Sequence, residues 1–234
     1  MSPMLDCLAP DLIGSWTVML AKWIVVDASN RAAFDEAQKR WPDLVDYDGF
    51  IVQVGGWVDT FPATAGILGL WRNFGAYRQF METGHAEIAP QQKEISERIE
   101  TTIASVIMYI NQPDPQLLAG SAECLRVSDV TLQPNSSPIF VARQMEIWNP
   151  ALGSADGMLG ALICRVDGNR DRFLGASFWR DRAALENFQA TVFPATSEQA
   201  GTEEYMKSLV SYHFALEPAW RVVKPAQPDL KNKK

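Results

Sequence analysis

A few polar side chains lie in otherwise apolar segments of this sequence, and they are the residues best suited to chemistry. His85 follows the apolar face of a predicted helix, and imidazole has an ordinary pKa that suits proton transfer near neutral pH. Gln53 lies in an apolar predicted strand, where its amide could orient a bound carbonyl or hydroxyl group. The alternatives are a surface histidine favoured by the helix dipole, and a glutamine that makes a structural hydrogen bond.

Aromatic residues and a lysine are the next candidates, here for a binding pocket. Trp71 ends a predicted strand, and Trp57 follows a glycine pair that would allow a ligand to approach the backbone closely. Tryptophans at strand ends can form the walls of a pocket for an aromatic substrate, although core packing would also explain them. Lys22 lies within an apolar predicted strand. If its side chain points inward, its ammonium group needs a partner or a lowered pKa. The alternative is that the side chain extends along the strand so that its ammonium group reaches solvent.

The elements that must position these side chains occur twice. Residues 71–73 (WRN) and 179–181 (WRD) are separated by 108 residues, and the same offset relates Phe80 to Phe188 and the glycines at 49 and 157. Trp41 and Trp148 lie 107 residues apart. Matching landmarks at one near-constant offset indicate two diverged copies of one unit.

Each copy follows the order β-α-β-β-α-β, which is the split-βαβ ferredoxin-like unit. Helices can cover one face of such a sheet, and the other face needs a partner, which a second copy in the same chain can provide. We therefore predict an α+β fold in which two ferredoxin-like βαββαβ repeats form an intramolecular α/β barrel. The predicted segments are an N-terminal extension, the first repeat, a linker, the second repeat and a tail: 1–16, 17–110, 111–123, 124–223 and 224–234.

The second copy also carries polar residues on predicted strands. In the last strand, the aromatic neighbours of His213 are predicted to face the helices, which turns His213 toward the barrel interior or solvent. Arg126, Asp129 and Arg165 could form a charged network inside the barrel, a role that is usually structural.

Composition narrows the function classes. A net charge of −7 argues against a nucleic-acid surface, because phosphate binding needs a cationic footprint. Three widely spaced cysteines indicate neither a disulfide framework nor a metal site.

Residues 1–11 do not resemble a signal peptide and no apolar run reaches the length of a membrane span, so we expect a cytoplasmic protein that does not contact membranes. Motifs for nucleotides, flavins, nicotinamides and serine or zinc hydrolysis are absent, so no cofactor and no metal are expected.

Four segments of the first copy, with His85 downstream, match a known pattern: residues 22–24 (KWI), 40–50, 53–57 (QVGGW) and 67–71 (ILGLW). In these segments the chain resembles the antibiotic-biosynthesis-monooxygenase-like proteins of the dimeric α/β-barrel superfamily, which also contains haem-degrading monooxygenases, isomerases and cyclases. The likeness is good over residues 17–110 and faint over 124–223.

This resemblance implies a cofactor-independent monooxygenase that acts on an aromatic or polyketide-type small molecule of secondary metabolism. The enzyme would deprotonate its substrate and allow the anion to react directly with dioxygen. In that scheme His85 is the base, Gln53 or Tyr77 hydrogen-bonds the anion, and Trp57, Trp71, Lys22 and Trp23 contact the substrate. The alternatives are a cyclase or isomerase that uses the same pocket without oxygen, and a non-catalytic barrel that binds a small molecule or haem.

Two further expectations follow from the repeat. Because each half can cover the other's open sheet face, the chain can be a complete barrel as a monomer, and any oligomer should use outer surfaces. The first copy keeps Lys22, Gln53, Tyr77 and His85. The second has Leu185 in place of Tyr77, no histidine in place of His85, and apolar Ala161 or Leu162 near the Gln53 position. We therefore expect one working pocket, in the first half.

Overall fold

The computed structural model describes residues 17–89, 94–112 and 114–224. The predicted N-terminal extension, and all of the tail after residue 224, lie outside these residues. The first half has strands β1 to β4, which span Val18–Val25, Phe50–Trp57, Thr64–Trp71 and Arg98–Asn111. Its helices are α1 (Arg31–Gln38), α2 (Phe74–Thr83) and α3 (His85–Ile88), with 3-10 turns at Ala28–Asn30 and Trp41–Asp46.

The second half repeats this order and adds short elements. Its strands β5 to β8 span Cys124–Leu132, Met158–Val166, Arg172–Trp179 and Met206–Ala215. Helix α4 (Pro115–Ser121) lies in the predicted linker, and a 3-10 turn (Pro218–Trp220) and strand β9 (Val222–Val223) follow β8. The helical layer consists of α5 (Ser137–Arg143), α6 (Asn149–Gly153), α7 (Arg182–Asn187), α8 (Phe193–Ala200) and α9 (Thr202–Tyr205). Two π-helical turns, Gln144–Trp148 and Phe188–Val192, interrupt this layer.

The nine strands form one curled antiparallel sheet in the order β8-β5-β7-β6-β4-β1-β3-β2-β9. Strands β1–β4 and β5–β8 each stay together, and the two groups join where β4 pairs with β6. Strand β9, although it follows β8 in the chain, pairs with β2 of the first half. At the opposite seam, the Asp59 amide donates to the His213 carbonyl at 2.9 Å and the Glu217 amide donates to the Gly55 carbonyl at 2.8 Å. The predicted fold of two ferredoxin-like repeats that close into a barrel is confirmed.

The inner face of the curled sheet forms a core that both halves share. Trp23 from β1 stacks on Tyr212 from β8, with ring centroids 3.8 Å apart, and meets Phe214 edge-on. This places the aromatic neighbours of His213 inside the barrel, so the predicted orientation of β8 is wrong. Side chains alternate along a strand, and His213 therefore lies on the helix-covered face.

The repeated landmarks turn out to be architectural. Gly49 and Gly157 have positive φ angles of 79° and 75°, and a Cβ atom at either would clash with Ala76 or Ala184 of the following helix. Arg72 and Arg180 follow the tryptophans that recur in the two repeats. The Arg72 amide donates to the Gly49 carbonyl at 2.7 Å, and the Arg180 amide donates to the Gly157 carbonyl at 2.8 Å. The sequence repeat thus fixes how each helix starts against its sheet, and carries no chemistry of its own.

No helix within the described residues combines the length and the apolar character that a membrane crossing requires.

Candidate active site

Each half has a space between its helices and its sheet, and the two spaces are related by the repeat. The first-half space has a volume of only about 20 Å³. That is room for about one water molecule, which needs roughly 10–15 Å³. Its lining consists of Leu20, Lys22, Trp41, Leu44, Gln53, Ile67, Gly69, Trp71, Tyr77 and Phe80.

Four of the seven predicted site residues therefore meet in this small space: Lys22, Gln53, Trp71 and Tyr77. Burial lowers the pKa of Lys22 to about 8, and its Nζ lies 5.5 Å from the centre of the Trp41 ring. Gln53 is buried, and its Nε2 has no hydrogen-bond partner among the described residues. Burial also raises the pKa of Tyr77. The space has polar side chains within a mostly apolar lining, but it is too small for a substrate in this conformation.

His85 lies behind this space. Its ring packs edge-on against Trp41 and Phe80, with centroids 6.1 and 5.8 Å apart, and those two residues form the wall. A base must come within hydrogen-bond reach of the proton it removes. The role of His85 as a base remains a prediction, and it would require Trp41 or Phe80 to move.

Two predicted pocket residues lie elsewhere, for a simple geometric reason. Trp23 follows Lys22 directly, and consecutive strand residues point to opposite faces, so Trp23 lies in the barrel interior. Trp57 packs in a separate cluster between Phe34 and Trp220, and its Nε1 donates to Asp35 at 3.1 Å. In this structure, neither residue lies on the lining of the first-half space, which corrects the predicted grouping.

The second-half space is much larger, with a volume of about 290 Å³. Its apolar wall is formed mainly by Val130, Phe140, Trp148, Leu152, Ile163 and Phe193. Its polar lining includes Arg126, Ser128, Gln144 and Ser177, and the exposed residues Glu203 and Lys207 also line it. The larger space therefore lies in the half where no working pocket was expected. That the first half holds the working pocket stays a prediction.

Smaller side chains at equivalent positions open this cavity. The strand registers place Ser128 where the first half has Lys22, and Gly175 where it has Ile67. Gly175 has real room beside it, because an added Cβ would find its nearest atoms 3.6 and 3.9 Å away. The smaller side chains of the second half thus leave open a space that larger side chains fill in the first half.

Arg126 is the most unusual group in the cavity. It is only 7% exposed, its Nη2 donates to Ser211 Oγ at 3.1 Å, and its Nε has no partner among the described residues. Its guanidinium carbon lies 5.2 Å from the centre of the Phe193 ring. Within the described residues no carboxylate pairs with it, so the predicted network is not formed: Asp129 instead binds Arg172 at 2.6 Å. Burial lowers the pKa of Arg126 to about 10, which leaves it a cation at neutral pH.

Both π-helical turns border this cavity. The amide of Asn149 donates to the carbonyl of Gln144, and that of Phe193 donates to Phe188, so each turn has the i+5 hydrogen bond of a π-helix. Gln144, Trp148 and Phe193 at these turns are lining residues. Such turns occur often at functional sites because they locally widen a helix.

Other reactive groups are less well placed. His213 accepts or donates a hydrogen bond with Gln189 at 3.0 Å, and burial together with Arg126 lowers its pKa, but it does not line the cavity. Burial raises the pKa of Cys124 to about 11 and also that of Cys164, so both thiols are protonated at neutral pH. Among the described residues, no three His, Cys, Asp or Glu side chains form a cluster that could hold a metal ion.

Sequence comparison places the first half in a family without an assigned activity. The family model described as "Domain of unknown function (DUF4937)" matches residues 20–104. The uncharacterized protein YdbC of Bacillus subtilis (strain 168) is 43% identical over 91 residues, which cover 36% of this chain and 76% of that protein.

Solved structures extend the similarity to both halves. A candidate monooxygenase from Lactobacillus acidophilus NCFM superposes with a TM-score of 0.68 at 14% identity, covering 89% of this chain and 97% of the other. An anthrone oxidase-like protein superposes with a TM-score of 0.64 at 11% identity, covering 87% and 92%. At these identities the likeness establishes a shared fold, and the resemblance to monooxygenase-like barrels is confirmed at that level.

Proposed function

The chain belongs to the family of YdbC, an uncharacterized protein of Bacillus subtilis, and from the geometry of the second-half cavity we propose an activity for it. The proposed function is that of a cofactor-independent monooxygenase that acts on an aromatic or polyketide-type small molecule. The working pocket in this proposal is the second-half cavity, with Arg126 as the group that stabilises negative charge on the substrate.

One observation carries the proposal: a largely apolar cavity of about 290 Å³ contains a buried cation without a carboxylate partner in the described structure. Buried charges are usually paired, because the cost of removing them from water is high. A cavity of this kind has the mixture of apolar walls and a few polar groups that is typical of small-ligand sites. The monooxygenase and anthrone oxidase-like names of proteins with this fold support the reaction type only by analogy.

The chemistry needs no group that the chain lacks. The substrate carbon acid loses a proton to water at the mouth, and Arg126 stabilises the resulting enolate or phenolate. The anion then supplies the electrons for dioxygen: one oxygen atom bonds to the substrate carbon, and the other leaves as water with the two hydrogens of the original CH₂ group. The overall change is R₂CH₂ + O₂ → R₂C=O + H₂O. The apolar walls exclude water and so strengthen the attraction between Arg126 and the anion.

The test is oxygen uptake by the full chain with anthrone-type and naphthol-type compounds, compared between two cavity-filling variants. Gly175→Ile restores the bulk that the first half has at Ile67 and should abolish uptake without unfolding the protein. Gly69→Ser fills the first-half space instead, where an added Cβ has its nearest neighbour 4.0 Å away, and should leave uptake unchanged. The reverse pattern would place the reaction in the first half and contradict the proposal.

Other outcomes of these experiments would identify the alternative functions. Substrate conversion without oxygen uptake would indicate a cyclase or isomerase. Binding without conversion would indicate a non-catalytic barrel, and a Soret band after haem addition would indicate a haem protein. Neither His85 nor His213 lines the cavity, so the cavity lacks the axial histidine that haem binding there would use.

A further inference from the structure

We infer that the second-half cavity recognises an organic monoanion with a flat apolar body: an aromatic ring system that bears one carboxylate, phenolate or enolate oxygen group. This inference rests on the proposed function for the location of the site, and it adds the chemical class of the ligand. It is independent of whether that ligand reacts with oxygen.

The negative charge follows from the state of Arg126. A guanidinium presents five N–H donors in a planar fork that matches a carboxylate. In Arg126, Nη2 donates to Ser211 Oγ, and Nε is buried without a partner in the described structure. An anion is the ligand that would use these donors and neutralise the charge in the same contact.

Two neighbouring polar side chains are already hydrogen-bonded, and Arg126 is the lining residue that combines a charge with an unpaired buried donor. Ser177 Oγ accepts from Trp179 Nε1 at 2.9 Å, and the Gln144 amide donates to Asn149 Oδ1 at 2.8 Å. A neutral polar ligand could accept a hydrogen bond from Nε of Arg126, but it would leave the buried cation uncompensated.

The single charge and the flat body follow from the rest of the lining. Arg126 is the only buried cation among the lining residues, and the exposed pair Glu203 and Lys207 contributes opposite charges. Phe193 lies against the guanidinium, and Phe140 and Trp148 form further aromatic wall. If the aromatic ring of a ligand packs between these side chains, its negatively charged oxygen would lie beside Arg126. The volume is near the lower end of the 300–1,000 Å³ range usual for small-ligand sites, which favours a molecule of one to three rings.

The test compares a matched pair of probes, 2-naphthoate and 2-naphthamide, which share shape and differ in charge. Calorimetric titration of the full chain at neutral pH should show the carboxylate binding about tenfold or more tightly, which is the effect of a charge-assisted hydrogen bond. Arg126→Met keeps the length of the side chain and removes the charge, and should make the two probes bind equally. Arg126→Lys should retain part of the preference.

Arg165→Met is the matched control, because Arg165 lies two strands away on β6, faces the same side of the sheet and is outside the cavity. That variant should keep the full preference. Equal binding of the probes to the unmodified chain, or a preference that survives in Arg126→Met but is lost in Lys207→Met, would overturn the inference. A charge preference without oxygen uptake would refute the proposed function alone. Equal binding of the two probes together with oxygen uptake that Arg126→Met abolishes would refute the inference alone.

Discussion

At the scale of single residues, Arg126 shows how a binding group can oppose stability. A buried charge without a partner destabilises the folded state, and replacement of buried charged groups by apolar side chains of similar volume is often neutral or stabilising by about 1–4 kcal/mol. The residue is buried and lacks a carboxylate partner in the described structure. Such a group persists in a folded protein when a ligand compensates it.

We therefore expect Arg126→Met to raise the free energy of unfolding by about 1 kcal/mol or more in the absence of ligand. Urea unfolding followed by circular dichroism measures this. Arg172→Met is the contrasting variant, because Arg172 forms a bidentate pair with Asp129 and its loss should destabilise the fold. A loss of stability in Arg126→Met as large as that in Arg172→Met would show that Arg126 has a structural role.

Lys22 gives a second prediction, this time for pH dependence. Its folded-state pKa is about 8, against 10.5 for the free side chain, because burial disfavours the ammonium form. Between these two values Lys22 binds more protons in the unfolded state than in the folded state, so its contribution to stability should rise as pH increases from 8 to 10.5. The measurement is the stability of the unmodified chain minus that of Lys22→Met across this window, and at pH 7 Lys22→Met should be the more stable protein. A difference that stays constant from pH 8 to 10.5 would contradict the burial of the ammonium group.

The sequence predicted candidate residues better than it predicted the pocket. Lys22, Gln53, Trp71 and Tyr77 do converge, since helix and strand periodicity determine which face a side chain takes. The volume between them was not predictable, because it depends on packing against the helices. Arg126 was assigned to a structural network, although a signal existed: the repeat aligns it with the apolar residue Leu20, so a charge appears where the first half has a core side chain.

At the scale of elements, the π-helical turns are the feature that the sequence did not reveal. Apolar residues recur at helical spacing between 139 and 148, a pattern that predicts one regular helix, whereas the structure has α5 followed by the π-turn Gln144–Trp148 and α6. A π-turn adds one residue without changing the hydrophobic pattern on either side, so the pattern remains helical. The offset between the copies does change across this segment: it is 106 residues at Val18 and Cys124, which pair with equivalent tryptophans, and 107 at Trp41 and Trp148.

Deletion of Met145 should convert this π-turn into regular α-helix. The side chain is 58% exposed, so its loss should cost little packing, and the flanking helices keep their faces. The wall formed by Gln144 and Trp148 would then move, and we expect the affinity for 2-naphthoate to fall at least about tenfold while the protein stays folded. Met145→Ala keeps the chain length and should bind normally. Unchanged affinity in the deletion variant would show that the π-turn does not shape the cavity.

Element boundaries were predicted less well than element order. Strand β4 begins at Arg98, although its apolar stretch begins only at residue 103. Strand β8 begins at Met206, although its continuous alternating stretch begins only at residue 209. The added residues are mostly exposed, and backbone pairing with β1 and β5 extends these strands beyond their apolar stretches. Hydrogen bonding to a neighbouring strand is not encoded in the local hydrophobic pattern, so periodicity stops short of the true ends.

At the scale of the whole molecule, the shared core explains why the chain carries two copies. Leu68 and Leu70 of the first half and Leu174 and Phe178 of the second belong to one cluster inside the barrel. The YdbC relative is about half as long as this chain, since the matched region covers most of it. Because the second copy already covers the first, we expect the 26.1 kDa chain to be monomeric by light scattering over a wide concentration range. An obligate dimer joined through the barrel interior would contradict this arrangement.

The same shared core should make the two halves unfold together. Trp23 stacks on Tyr212 across the barrel, so Trp23→Ala removes a contact that belongs to both repeats. Loss of a buried tryptophan costs about 3–5 kcal/mol. We expect the whole loss of stability to appear in one unfolding transition, because neither half can shield the inner face of its strands from water without the other. Urea unfolding should give coincident curves by tryptophan fluorescence and far-ultraviolet circular dichroism in both proteins. Two separated transitions, with only one shifted by Trp23→Ala, would mean that each repeat is stable alone and that the barrel is a contact between independent domains.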